Sequence, residues 1–241
     1  MGRLALIGGH SILDNEPGEG LERVVRSSSF GDVELLEGPG HVLLQRHGLR
    51  EYSTAARIDH RANLSALADL GVDRILAVGS VGGLKPELGV GSFVCPDDFI
   101  ALHLGLSFSD EHGGERVPAF DGSWRERIMA VWRRHSDVEL RDGGVYWQTI
   151  GPRFETPAEI RMIAPHADVV GMTIASECVL AGELGISYAA VCVVDNLANG
   201  VGGAPLAVED FEAGKALNRE RLLAALRPLL ADLGDAPGGE A

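Results

Sequence analysis

The chain has 241 residues, 45% of them apolar and 23% charged, which is enough for one large domain with a full hydrophobic core and excludes a membrane protein or coiled coil. Thirty-five Asp and Glu against 21 Lys and Arg give a net charge of -14, a field that repels polyanions, so nucleic acid is not an expected partner. An anionic substrate would need its own local pocket of cationic groups inside that field. Glycine, at 32 residues, stands well above its usual share of ~7% and points to tight turns and close backbone approaches. Cys95, Cys178 and Cys192 are odd in number, far apart and set in apolar runs. They read as buried thiols of a reducing cytoplasm, and they support neither a disulfide framework nor a zinc site.

In chain order, short apolar runs bounded by turn residues predict strands at Leu4 to Ile7, Val42 to Gln45, Arg74 to Val78, Ser92 to Cys95, Gly144 to Thr149, Asp168 to Gly171 and Tyr188 to Val194. Helical patterns cover Arg57 to Leu70, Trp124 to Arg134, Pro157 to Ile163, Ser176 to Leu184 and Val208 to Leu233. Strands alternating with helices predict a single α/β domain over residues 1–233 with a mostly parallel sheet, whose ligands bind beyond the carboxyl ends of the strands. Gly234 to Ala241, Gly-rich and acidic, is expected to be a disordered tail, and Leu104 to Phe120 the longest loop. No stretch suggests a signal peptide or a membrane span.

Four segments follow predicted strands and end in small or polar residues. Gly8-Gly9-His10-Ser11 is a glycine turn whose backbone N–H groups suit an anion, although glycine pairs after strands are commonly structural. Gln45-Arg46-His47-Gly48 offers a planar cationic fork beside a titratable ring. Val78-Gly79-Ser80-Val81-Gly82-Gly83 is a strand emptying into small residues, where a tight turn is the plain alternative. In Gly151-Pro152-Arg153-Phe154-Glu155-Thr156-Pro157-Ala158-Glu159, Thr156 and Glu159 form a capping box with Pro157 at the first helical position. Phe154 and Glu155 precede that cap and project an aromatic face and a carboxylate. Gly171-Met172-Thr173 and Val194-Asp195-Asn196 also end apolar strands in polar groups.

The ordered set resembles the trimeric purine nucleoside phosphorylase and methylthioadenosine phosphorylase family. It comprises Gly144-Val145-Tyr146, Gly151 through Thr156, Gly171-Met172-Thr173 with Glu177, the Gly8-Gly9 turn, Arg46-His47-Gly48, Ala62-Asn63 and Gly82-Gly83. The resemblance implies a single-domain nucleoside phosphorylase fold, with a mixed, mostly parallel sheet flanked by helices. It also implies a pentosyltransferase reaction in which phosphate displaces a purine from ribose C1′, with no cofactor and no metal. It assigns phosphate to Gly9, His10, Ser11, Arg46, His47, Ser80 and Thr173, and the purine to Phe154, Glu155, Asn196, Asp195, Val81 and Gly82. Met172 would underlie the ribose, and Arg46, His47 and Asn196 would carry catalysis. Glu155 with Asn196 favours a 6-oxopurine base, because a carboxylate accepts from N1–H but repels the N1 lone pair of adenine. The resemblance leaves open whether the nucleoside carries a 5′-hydroxyl or is a 5′-methylthio analogue.

Residues Val208 to Glu212 would line the 5′ group: Val208 and Phe211 would suit a methylthio substituent, Asp210 or Glu212 a hydroxyl. His10-Ser11, Gly79 and Ala175-Ser176 depart from the usual family pattern, and Asp195 is an alternative base-contacting acid. The family arrangement implies a homotrimer in which a neighbour's His112 to Phe120 segment reaches the sugar, and the cysteines, as above, suggest a cytoplasmic location. A 6-aminopurine-preferring methylthioadenosine phosphorylase, a hydrolytic nucleosidase and a noncatalytic purine-binding protein are the competing readings.

Overall fold

A computed structural model describes residues 2–9, 20–109, 116–203 and 206–234, with the Val208 side chain outside the description. Among these residues eleven strands share one sheet. They are β1 (Arg3–Gly8), β2 (Glu22–Ser28), β3 (Gly31–Glu37), β4 (His41–Gln45), β5 (Val72–Gly83), β6 (Phe93–Cys95), β7 (Asp98–Ile100), β8 (Leu140–Asp142), β9 (Val145–Gln148), β10 (Val169–Gly171) and β11 (Ser187–Leu197). The helices are α1 (His60–Asp69), α2 (Gly122–His135), α3 (Pro157–Ile163), α4 (Ile174–Glu183) and α5 (Val208–Gly234).

The sheet runs β2-β3-β4-β1-β5-β10-β9-β7, with β11 beside β5, then β6 and β8. Pairing is parallel around the centre, β4 with β1, β1 with β5 and β5 with β11, and antiparallel in the β2–β3–β4 edge and at β10 with β5. The result is the mixed, mostly parallel sheet that the sequence predicts. Alternation along the central strands sends side chains to two cores, as a period of two requires. Ala5, Ile7, Ile75, Ala77, Ala190 and Cys192 pack with Leu64, Leu67 and Leu180 of α1 and α4. Leu4, Leu6, Leu76, Val78, Val191 and Val193 pack with Trp132 of α2 and with Leu222, Leu226 and Leu229 of α5.

Several expectations change. Residues 78–83 do not turn: β5 continues through Gly83, because β11 pairs with it along its length. The helix expected from Arg57 starts at His60, where Asp59 accepts from the Ala62 N–H at 3.0 Å, after a short 3₁₀ turn over Ala55–Arg57. Gly234 ends α5 instead of opening a tail, and residues 235–241 lie outside the described residues. Hairpin β2–β3 has no counterpart in the sequence reading. Its β2 strand is half exposed, and the cross-strand pairs Arg23–Glu34 at 2.5 Å and Arg26–Glu37 at 3.1 Å do part of what apolar alternation does elsewhere.

Candidate active site

The carboxyl ends of β1, β4, β5, β10 and β11 surround a cavity of about 250 Å³. Gly9, Arg46, His47, Ser80, Val81, Gly82, Phe154, Glu155, Met172, Thr173 and Asn196 all line it. Segments separated by most of the chain are thus collected at the sheet rim, where strands of an open α/β sheet deliver ligand-binding groups. Tyr52, Thr54, Ala55, Asn199, Leu206 and Phe211 complete much of the wall. His10, Ser11 and residues 112–115 of the loop expected at a subunit contact lie outside the described residues. Of the rest of that loop, Arg116 donates to the Gly182 carbonyl at 2.7 Å and Val117 is almost fully exposed.

Arg46 departs from the open cationic fork that was expected. Its Nε donates to Glu177 Oε1 at 2.6 Å, its Nη2 to Glu177 Oε2 at 2.9 Å and its Nη1 to the Val78 carbonyl at 2.7 Å. Both side chains are 1% exposed. Burial alone would push the Glu177 carboxyl up, but the Arg46 guanidinium outweighs it and holds the group below the usual carboxylate range. Tyr188 donates to Glu177 Oε2 at 2.7 Å, and burial holds its own hydroxyl well above the usual tyrosine range. A Cβ at Gly9 would lie 2.7 Å from Arg46 Nη1, so the bare glycine turn is what lets the guanidinium edge reach the cavity.

His47 is pinned by Nδ1, which donates to the Ser53 carbonyl at 2.7 Å, and its ring stacks on Tyr52 with centroids 5.0 Å apart. Thr173 is the N-cap of α4 but makes no capping bond with its side chain, so the hydroxyl remains at the cavity. The cap is replaced from β9. Tyr146 Oη accepts from the N–H groups of Thr173 and Ile174, and Gln148 Oε1 from those of Ala175 and Ser176. The amino end of α4 is therefore satisfied within the protein, and side chains are left to receive an anion there.

At the other group of lining residues, Glu155 Oε1 accepts from Thr149 Oγ1 at 2.6 Å and its carbonyl accepts from Asn199 Nδ2 at 3.0 Å. The capping box forms as read: Thr156 Oγ1 accepts from the Glu159 N–H and Glu159 from the Thr156 N–H. Arg153 adds two 2.8 Å bonds to Glu159 and with them draws that carboxyl down to about 2. Phe154 meets Phe211 edge to face, centroids 5.6 Å apart. Asn196 donates to the Leu197 carbonyl at 2.8 Å, and a Cβ on Gly82 would come within 3.4 Å of its amide nitrogen.

Asp195 is placed differently from the base-contacting position considered for it. A bulge between Val194 and Asn196 in the pairing with β5 turns it away from the cavity, fully buried, with Ser80 Oγ donating to Oδ2 and Asn218 Nδ2 to Oδ1 at 2.8 Å. Glu177 entered the sequence reading only as part of the family motif. Nothing local to it announces that it pairs with Arg46. Tyr52, Thr54 and Ala55 follow Arg46-His47 without any motif, and only the path of the chain brings them to the wall. Among the described residues no group of three His, Cys, Asp or Glu side chains could hold a metal ion, and no helix is long and apolar enough to cross a membrane.

A sequence model of the phosphorylase superfamily matches residues 20–231. A probable 6-oxopurine nucleoside phosphorylase of Archaeoglobus fulgidus is 40% identical over 202 residues, covering 82% of this chain and 83% of its own. A probable S-methyl-5′-thioinosine phosphorylase of Methanocaldococcus jannaschii is 36% identical, covering 86% of this chain and 83% of its own. A crystal structure of a variant adenosine/methylthioadenosine phosphorylase from Schistosoma mansoni, in complex with methylthioadenosine, superimposes with a TM-score of 0.84. It is 24% identical and covers 98% of this chain and 93% of its own, so it speaks for the fold. The chain belongs to the phosphorylase superfamily, among its nucleoside phosphorylases.

Proposed function

We propose that the protein cleaves purine nucleosides by phosphorolysis, with preference for a 6-oxopurine base and tolerance of a 5′-methylthio group. The observation that carries this is a single cavity lined both by Arg46, His47, Ser80 and Thr173, which suit an oxyanion, and by Phe154, Glu155 and Asn196, which suit a purine. Relatives named for 6-oxopurine nucleosides and for methylthioinosine support the same reading.

In the proposed reaction a phosphate oxygen forms a bond to C1′ as the C1′–N9 bond breaks and its electron pair moves onto the purine. Positioning and electrostatic stabilisation supply the rate, with no covalent enzyme intermediate. Arg46 and His47 orient phosphate, Met172 packs under the ribose, and Asn196 donates to N7 and O6 as charge builds on the base. Glu155 accepts from N1–H of the 6-oxopurine, oriented by Thr149.

At the 5′ end, Phe211 turns into the cavity, while Asp210 accepts from the Ala207 N–H at 3.2 Å and Glu212 pairs with Lys215 at 2.8 Å. That wall favours an apolar substituent. A homotrimer with the 112–120 segment near a neighbour's sugar is part of the proposal. A cytoplasmic location is too, and three free buried cysteines support it.

The test is a panel of inosine, guanosine, adenosine and the two methylthio nucleosides, each with and without phosphate. The expected result is base release from the 6-oxopurine members only when phosphate is present, with sugar 1-phosphate as the second product. Equal release of free sugar in phosphate-free buffer would replace the reading with a nucleosidase.

A further inference from the structure

The buried carboxylate of Asp195 does not line the cavity, yet the fold is built around it. The β-bulge between Val194 and Asn196 sets it there. Gly214 of α5 packs so closely that a Cβ would lie 1.7 Å from the Asp195 carbonyl oxygen. Asn218 Nδ2 donates at once to Asp195 Oδ1 at 2.8 Å and to the Val194 carbonyl at 3.0 Å, which fixes the amide with its amino group toward the acid. The remaining carboxylate oxygen accepts from Ser80 Oγ, and Ser80 lines the cavity. An ionised carboxylate only accepts, and a serine hydroxyl has one proton. With that proton committed inward, Ser80 presents lone pairs to whatever occupies the cavity beside it.

The Arg46–Glu177 pairing adds a second constraint. The guanidinium charge is already met by a bidentate carboxylate, so positive charge alone does not select among oxyanions. The pattern of donors and acceptors then decides. We propose that Asp195 is a positioning residue that holds Ser80 as a hydrogen-bond acceptor, so that the site takes an oxyanion bearing a proton and rejects an isosteric one without. Hydrogen phosphate and hydrogen arsenate carry an O–H near neutral pH and can donate it to Ser80 Oγ. Sulfate carries none, and its oxygen lone pairs would face those of the serine. The inference rests on the proposed phosphorolysis, in that it assigns Ser80 to the oxyanion end of the same cavity.

Initial rates of base release are measured with phosphate and with arsenate as co-substrate, and with sulfate as competitive inhibitor. In the unaltered protein sulfate is expected to bind at least about tenfold more weakly than phosphate, the cost of facing an unmatched buried polar atom, with arsenate close to phosphate. In Asp195→Asn the amide oxygen keeps Asn218 and the amide nitrogen donates to Ser80 Oγ, which releases the serine proton to the cavity. Sulfate inhibition should then tighten and the phosphate-to-sulfate preference fall by about tenfold. Sulfate binding as tightly as phosphate in the unaltered protein would overturn the proposal. So would an equal loss of both anions in Asp195→Asn, which is what a merely structural role predicts.

Should Asp195→Asn fail to fold, Ser80→Ala gives the same readout. It must weaken phosphate while sparing sulfate, and an unchanged preference overturns the idea. A control without any oxyanion separates the two levels: release there refutes phosphorolysis itself, whereas a failed preference with phosphate dependence intact refutes only the role of Asp195.

Discussion

Arg46 and Glu177, 131 positions apart, form a bidentate pair with both side chains removed from solvent at the base of the cavity. Such a pair is costly to break from one side, because the partner left behind is an uncompensated buried charge.

Arg46→Met and Glu177→Leu should therefore each lose about 3–5 kcal/mol of stability, whereas the two changes combined should be closer to the parent than either single change. Urea unfolding of the four proteins measures this. The double variant should nevertheless lose phosphate-dependent turnover, since the guanidinium is gone. Additive losses in the cycle would mean the two side chains are not energetically coupled.

His60, buried at the start of α1, has no hydrogen-bond partner for Nδ1 among the described residues. Burial lowers its affinity for a proton below the ordinary value of 6.5, an effect opposed by Glu177 and reinforced by Arg46. The unfolded chain thus binds a proton below pH 6.5 that the folded chain resists, and stability should fall as pH drops from 6.5 toward the lower folded value, at up to about 1.4 kcal/mol per pH unit. Glu177 acts in the same direction but only below about 4.5, so the interval from pH 6.5 to 5 separates the contribution of His60 from that of Glu177. His60→Gln should flatten stability over that interval in denaturant titrations. Identical slopes in the two proteins would remove His60 as the cause.

Glu155→Ser removes an acceptor while leaving Thr149 and the capped loop in place. The preference for inosine over adenosine in kcat/KM should drop by about two orders of magnitude. No movement of that ratio would place recognition of the purine edge on another side chain.

Phe211→Ala opens the wall at the 5′ end. It should lower kcat/KM for methylthioinosine about tenfold and inosine much less, as expected for lost apolar contact with the substituent. Equal losses for both substrates would show that Phe211 acts only by supporting Phe154.

How much of this was legible in the sequence depends on how local each cause is. Helix α3 appears at its predicted bounds because the Thr156, Pro157 and Glu159 signal lies within four residues and is chemically complete. Strand β1 and the core faces follow from apolar periodicity. Hairpin β2–β3 escapes that reasoning because charge pairing across strands helps hold it, and β7 and β8 because three residues carry no period. In the cavity, the segments that follow strands were found as candidates. The bond partners that alter their chemistry were not: nothing near Arg46 reports Glu177, and nothing near Ser80 reports that a bulge has turned Asp195 toward it.

The loop carrying Glu155 is anchored on both flanks, by the capping box and Arg153 on one side and by Asn199 on its own carbonyl. Its backbone therefore does not depend on what the side chain at that position is. A single codon change could retune which nucleobase is accepted while the surrounding scaffold stays put, so divergence in diet among such enzymes needs no remodelling of the chain.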